Sequence, residues 1–184
     1  VLEKINFTFK EKEIVSILGK SGSGKSTFLR ILAGLIPPSD GEIKYRGNLV
    51  NKPVPDIAMV FQSFALMPWL TVLQNVELGL EARGINAKER REKALKAIDI
   101  IGLDGFENAY PRELSGGMRQ RVGFARALVI EPDLLLMDEP FSALDVLTAE
   151  NLRNDLLEIW HNEEQTKGIL CVTHNIEEAV LISD

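Results

Sequence analysis

The run Gly19-Lys20-Ser21-Gly22-Ser23-Gly24-Lys25-Ser26 fits the spacing G-x-x-x-x-G-K-[ST] in full. Glycines let a backbone curl until several N–H groups point inward at anionic oxygens. Gly19, Ser21, Gly22, Ser23, Gly24, Lys25, Ser26 and Thr27 are therefore candidates to bind phosphate. The loop follows an apolar run, Ile14 to Leu18, and precedes a helical pattern from Thr27 to Ala33, whose positive N-terminal end adds to the attraction. Lys25 has the reach for β- and γ-phosphates, and the Ser26 hydroxyl suits Mg²⁺. The chemistry is that of a P-loop nucleotide binder with Mg²⁺ as an expected ligand.

A second acidic element stands downstream. Leu134 to Met137 is a wholly apolar run that ends on Asp138 and Glu139. At the carboxyl end of a parallel strand, these two acids would face the same crevice as the phosphate loop. Asp138 is expected to hold Mg²⁺ through water, and Glu139 to polarise an attacking water. Between the two elements lies Leu114-Ser115-Gly116-Gly117-Met118-Arg119-Gln120. Physically it is a serine and two glycines at a helix start, with open backbone donors and a dipole that favours anions.

That last motif, placed between the other two, resembles the signature motif of ABC ATPases. Gln62 resembles the Q-loop glutamine of the family, Ser142-Ala143-Leu144-Asp145 its D-loop, and His174 its switch histidine. The resemblance covers nearly the whole chain. It implies two copies packed head to tail around two ATP molecules, with each γ-phosphate between Lys25 of one copy and Ser115 to Gly117 of the other. It also implies that Gln62 senses Mg²⁺ and the water, that Asp145 lies at the nucleotide site, and that His174 steadies the transition state. The family has an adenine-stacking aromatic residue well upstream of the phosphate loop and continues past the switch histidine. Only 18 residues precede Gly19 and the sequence stops at Asp184, so truncation at both ends is expected.

These groups need a scaffold. Ile5, Phe7 and Phe9 alternate with polar residues within Val1 to Lys10, as in a half-buried strand. Glu42 to Val50 and Ile57 to Phe61 read as two more strands, and Gly168 to Val172 as a last buried one. Thr71 with Gln74 forms a capping box for a helix carrying Leu73, Val76 and Leu80. Asn86 with Glu89 opens another, with Ala94, Leu95, Ile98 and Ile101 on its apolar face and Gly102 as its stop. Ser115 starts a helix with Met118, Val122, Ala125 and Val129 on one side, and a further helix covers Val146 to Glu163. The expected class is α/β: a P-loop NTPase core over residues 1–62 and 131–184, with a mostly parallel sheet and an antiparallel β part. A helical subdomain over residues 63–130 is inserted into it and carries the signature motif.

The formal net charge of −6 argues against a dedicated nucleic-acid binder, which usually carries a basic face, and leaves room for a local patch. The single cysteine, Cys171, excludes an internal disulfide. No apolar stretch reaches the length of a bilayer span, and the alternation of Val1 to Lys10 leads to the expectation of a strand there, not a signal peptide. The mixed charges of Lys88 to Lys93 read as a solvated helix face, and His161 as a surface residue. Phe64, Leu66, Met67, Pro68 and Trp69 make an apolar loop suited to docking, so transmembrane permease subunits are expected near Phe61 to Val76, on the cytoplasmic face of the membrane. Met67 to Val72 with Gln74 to Val76 resembles importers of nitrate, sulfonate, taurine and related anions. The alternatives are an ABC motor for export or membrane remodelling and a soluble ABC ATPase acting on nucleic acid or the ribosome. The span from Lys25 to Asp138 holds neither heptads nor the cysteines of a zinc module. A P-loop kinase or GTPase would leave the Ser115 motif and His174 unexplained.

Overall fold

The computed structural model describes residues 2–162 and 166–183. Its centre is a parallel sheet of four strands: β1 (Glu13–Leu18), β4 (Ile57–Val60), β5 (Leu134–Asp138) and β6 (Gly168–Thr173), in the order β1-β6-β5-β4. The two middle strands are the most completely buried, because they are flanked by strands on both edges and covered on both faces. Along β5, Leu135 and Met137 face a cluster with Val60, Phe124, Leu152, Leu156 and Ile169. Leu136, between them, faces the opposite cluster with Leu29, Ala33, Leu170 and Val172. The sheet thus has α1 (Lys25–Leu32) on one side, and α4 (Gly116–Leu128) and α5 (Val146–Asn162) on the other.

The register does the positioning. Leu18 pairs with Thr173 and Asp138 with Val172, so β1, β5 and β6 end at one level. Two backbone bonds continue that level past the strand ends, Gly19 N–H to Thr173 O (3.2 Å) and Glu139 N–H to Val172 O (2.9 Å). The phosphate loop, Glu139 and His174 leave the sheet side by side.

A third apolar cluster joins α2 (Val72–Ala82), α3 (Ala87–Ile100) and α4 through Val72, Val76, Leu80, Ala94, Ile98, Val122, Ala125 and Val129. Thr71 and Gln74 form a complete capping box on α2, while Asn86 caps α3 by accepting from Glu89 N–H. Helix α4 is shared: Phe124 and Ala127 pack on the sheet, Val122 and Ala125 on the helices.

Three expectations need correcting. Residues Ile5 to Phe9 are not a strand, and Ile5 and Phe7 are about half exposed. Alternation marks a strand only where a neighbour completes the ladder, and left-handed residues at Lys4 (φ 55°) and Lys12 (φ 62°) turn the chain at both ends. Phe9 alone packs inward, its ring filling the space a Cβ on Gly168 would need. Glu42 to Val50 is not one strand but a hairpin, β2 (Lys44–Tyr45) and β3 (Asn48–Leu49). Arg46 (φ 49°) and Gly47 (φ 78°) form the two-residue turn, whose positive φ at both positions matches strand twist. On α3, Leu95 points outward and Ala97 takes the buried position. Val1, Glu163 and Asp184 lie outside the described residues.

Candidate functional site

Lys25 opens α1 directly after Gly24, whose φ of 95° only glycine adopts without strain. Its side chain is buried and curls back over the loop. Nζ donates to Gly19 O (2.8 Å) and Lys20 O (3.1 Å), and forms an ion pair with Glu139 Oε1 (3.2 Å). The next residue, Ser26, donates from Oγ to Asp138 Oδ1 at 2.7 Å, joining the loop to the end of β5. Ser21 and Thr27 are exposed and Ser23 is half-buried, and the Ser23 N–H turns back to Lys20 O.

Glu139 is the hub. Its backbone is left-handed (φ 46°), an unfavourable conformation for a residue with a Cβ and one that concentrates at functional sites. While Oε1 faces Lys25, Oε2 lies 3.1 Å from His174 Nδ1 and 3.3 Å from Gln62 Nε2. Gln62 Nε2 also donates to Ser142 Oγ (3.2 Å), which donates in turn to Glu139 O (2.9 Å). A carboxylate this enclosed is tolerable only when charge and hydrogen bonds surround it. Here a cation, an amide and an imidazole converge on it from three separate parts of the chain.

Ser115 caps α4, its Oγ accepting from Met118 N–H at 3.2 Å. The Gly116 and Gly117 backbone lies against Leu144 and Thr148, beside the segment that starts α5. Asp145 caps that helix through Thr148 N–H (3.1 Å), and hydrogen bonds from Thr148 hold its carboxyl below the usual range. Among the described residues, no hydrogen bond or ion pair joins Ser115, Gly116, Gly117 or Asp145 to the Lys25–Glu139 cluster.

The apolar loop Phe64 to Trp69 is built by residues whose role the spacing did not reveal. Arg126 on α4 donates to Ala65 O (2.6 Å) and Phe64 O (3.1 Å), bracing two left-handed residues. Asn75, fully buried on α2, accepts from Met67 N–H and donates to Met67 O, Leu70 O and Thr71 O. The signal for Asn75 was available: it is an amide inside the apolar row Val72, Leu73, Val76, Leu80. Trp69, held out by this frame, is 69% exposed. Among the described residues, no helix is long and apolar enough to cross a membrane. A cavity of about 550 Å³ opens elsewhere, between residues 5–11, the hairpin and the starts of β5 and β6, and contains none of the groups above.

A strand, a glycine loop and a helix, with acids at the end of β5, one strand removed from β1, define a P-loop nucleotide-binding ATPase. The sequence profile described as ABC transporter matches residues 2–142. A taurine import ATP-binding protein of Rhizobium johnstonii is 48% identical over 98% of this chain and 68% of its own length. A nitrate import ATP-binding protein of Synechocystis is 49% identical over 99% of this chain and 68% of its own. The solved dimeric structure of an ATP-binding cassette in a post-hydrolysis state, bound to ADP and Pi, superposes with a TM-score of 0.84 at 41% identity, covering 97% of this chain and 82% of that one. The chain belongs to the ABC transporter family and is its ATP-binding, ATP-hydrolysing subunit.

Proposed function

We propose that two copies of this subunit close head to tail on two ATP molecules and that the closure powers import of a small solute through a transmembrane permease. The convergence of Lys25, Gln62 and His174 on Glu139 carries the reading. Lys25 binds the terminal phosphates. Glu139 accepts a proton from the attacking water, and Gln62 and His174 orient that water and the transferring phosphoryl group. Ser115 to Gly117 and Asp145, separate from this cluster within one copy, serve the site of the other copy. Ser26 and Asp138 offer hard oxygen atoms side by side, a donor set that suits Mg²⁺ held jointly with ATP phosphates. Gln62 would complete that set. A metal there offsets phosphate charge; the residues around it position the water.

Residues 1–62 and 131–184 then act as the catalytic core and residues 63–130 as the helical subdomain. The permease docks on Phe61 to Val76, where Trp69 is presented, which makes the subunit peripheral to the cytoplasmic face of the membrane. Relatives that import taurine and nitrate support an importer, and a small anion is the proposed cargo class. Light scattering on Glu139→Gln with and without MgATP tests the mechanism. A monomer-to-dimer shift on adding MgATP is expected; a protein that binds ATP and stays monomeric would remove the sandwich.

A further inference from the structure

One buried acid takes no part in this chemistry. Glu178, on α6 (Ile176–Ile182), is 5% exposed, and its Oε1 has no hydrogen-bond partner among the described residues. Its other oxygen, Oε2, accepts from Thr173 Oγ1 at 2.9 Å. Thr173 is the last residue of β6, immediately before His174. Its hydroxyl also accepts from Asn175 N–H (3.0 Å), and its carbonyl accepts from Gly19 N–H (3.2 Å), the first residue of the phosphate loop. Asn175 Oδ1 accepts from Glu177 N–H (2.9 Å) and Glu178 N–H (3.3 Å). The residues on both sides of His174 are thus tied into one ring of hydrogen bonds. The imidazole, about half exposed, stands out of that ring toward Glu139.

Asn175 already caps α6, so the helix does not need the Glu178 carboxyl. Keeping a half-satisfied carboxyl buried costs stability, and burial pushes its pKa up. Such local costs concentrate where a geometry is being held for function. We infer that Glu178, acting through Thr173, is a positioning residue that aims His174 at the reacting centre. Its oxygen fixes the rotor of the Thr173 hydroxyl, and the hydroxyl in turn fixes the Asn175 backbone on the far side of the imidazole. The inference rests on the role proposed for His174 above.

The test is a mutant cycle in the full chain, reading kcat, KM for MgATP and nucleotide affinity. Glu178→Leu is expected to lower kcat about ten- to a hundredfold, the scale of a misplaced catalytic group, with KM and affinity within about twofold. Glu178→Gln keeps an acceptor for Thr173 and is expected to stay near the parent. Thr173→Val, nearly isosteric, reproduces the loss should Glu178→Leu fold poorly. In a His174→Ala background, Glu178→Leu should cost nothing further. Parental kcat in Glu178→Leu and Thr173→Val, with His174→Ala impaired, overturns the inference alone, as does full additivity of the two losses. Parental kcat in His174→Ala overturns the role of His174 and the inference with it.

Discussion

Lys25 Nζ and Glu139 Oε1 lie 3.2 Å apart, both largely buried, one from the start of α1 and the other from the end of β5. The pair sets a cation for phosphate directly against the group proposed to take the water's proton. Glu139→Gln removes the negative charge while keeping nearly the same shape. ATP affinity should hold or rise, because Lys25 no longer shares its charge. Turnover should fall about 10²- to 10⁴-fold, the usual contribution of a general base. Equilibrium binding of a fluorescent ATP analogue, set beside phosphate release, checks both parts; turnover within a few fold of the parent rules out Glu139 as the base.

Gly117 packs where a side chain has no room. A Cβ there would collide with Thr148 Cγ2, so the start of α4 and the start of α5 touch through a bare backbone. Gly117→Ala should destabilise the protein by about 1–3 kcal/mol, the range for overpacking a tight contact. Thr148→Ser removes the obstructing methyl and should recover most of that loss in the double variant. Urea unfolding of the two single variants and the double gives the coupling; additive effects would mean the two helices do not touch there.

The candidate site was legible in the sequence because its parts are local patterns. A glycine loop after an apolar run, and acids at the end of another, each carry their meaning within ten residues. What joins them was not legible. Ser142 bridging Gln62 and Glu139 depends on a sheet register that only the fold supplies. The hairpin at Arg46 escaped notice because its first left-handed position is filled by arginine rather than by asparagine or aspartate. The expected strand at Ile5 to Phe9 failed for the converse reason: alternation was present, and among the described residues no strand pairs with it.

Asn75 illustrates a buried polar group that the fold satisfies completely. Its amide makes four hydrogen bonds to Met67, Leu70 and Thr71, the backbone that carries Trp69. Asn75→Leu matches the apolar row around it, yet leaves the Met67 N–H and the Leu70 carbonyl without their side-chain partner, while Met67 O and Thr71 O keep backbone donors. A loss of roughly 1–3 kcal/mol is expected for stranding them. Locally the loop should loosen. With Trp160→Phe making Trp69 the single tryptophan, acrylamide quenching should rise in Asn75→Leu. Unchanged quenching would show that the loop holds its shape without the amide.

Glu178 gives the protein a stability signature of its own. Burial raises its carboxyl above the ordinary 4.5, with the Thr173 hydrogen bond and the charges of His174 and Arg153 opposing and Glu139 adding to the rise. In the folded state the group therefore holds its proton to higher pH than in the unfolded chain. Stability linked to it is full below about 4.5 and declines as pH rises through the raised value. Glu178→Gln removes that titration, so its stability relative to the parent should grow across the same window and then level off. The measurement is chemical denaturation of both proteins from pH 4 to pH 8. A difference that stays flat, or that shrinks as pH rises, would mean the carboxyl is not held in its neutral form by burial, and that its charge is met by a partner such as Arg153.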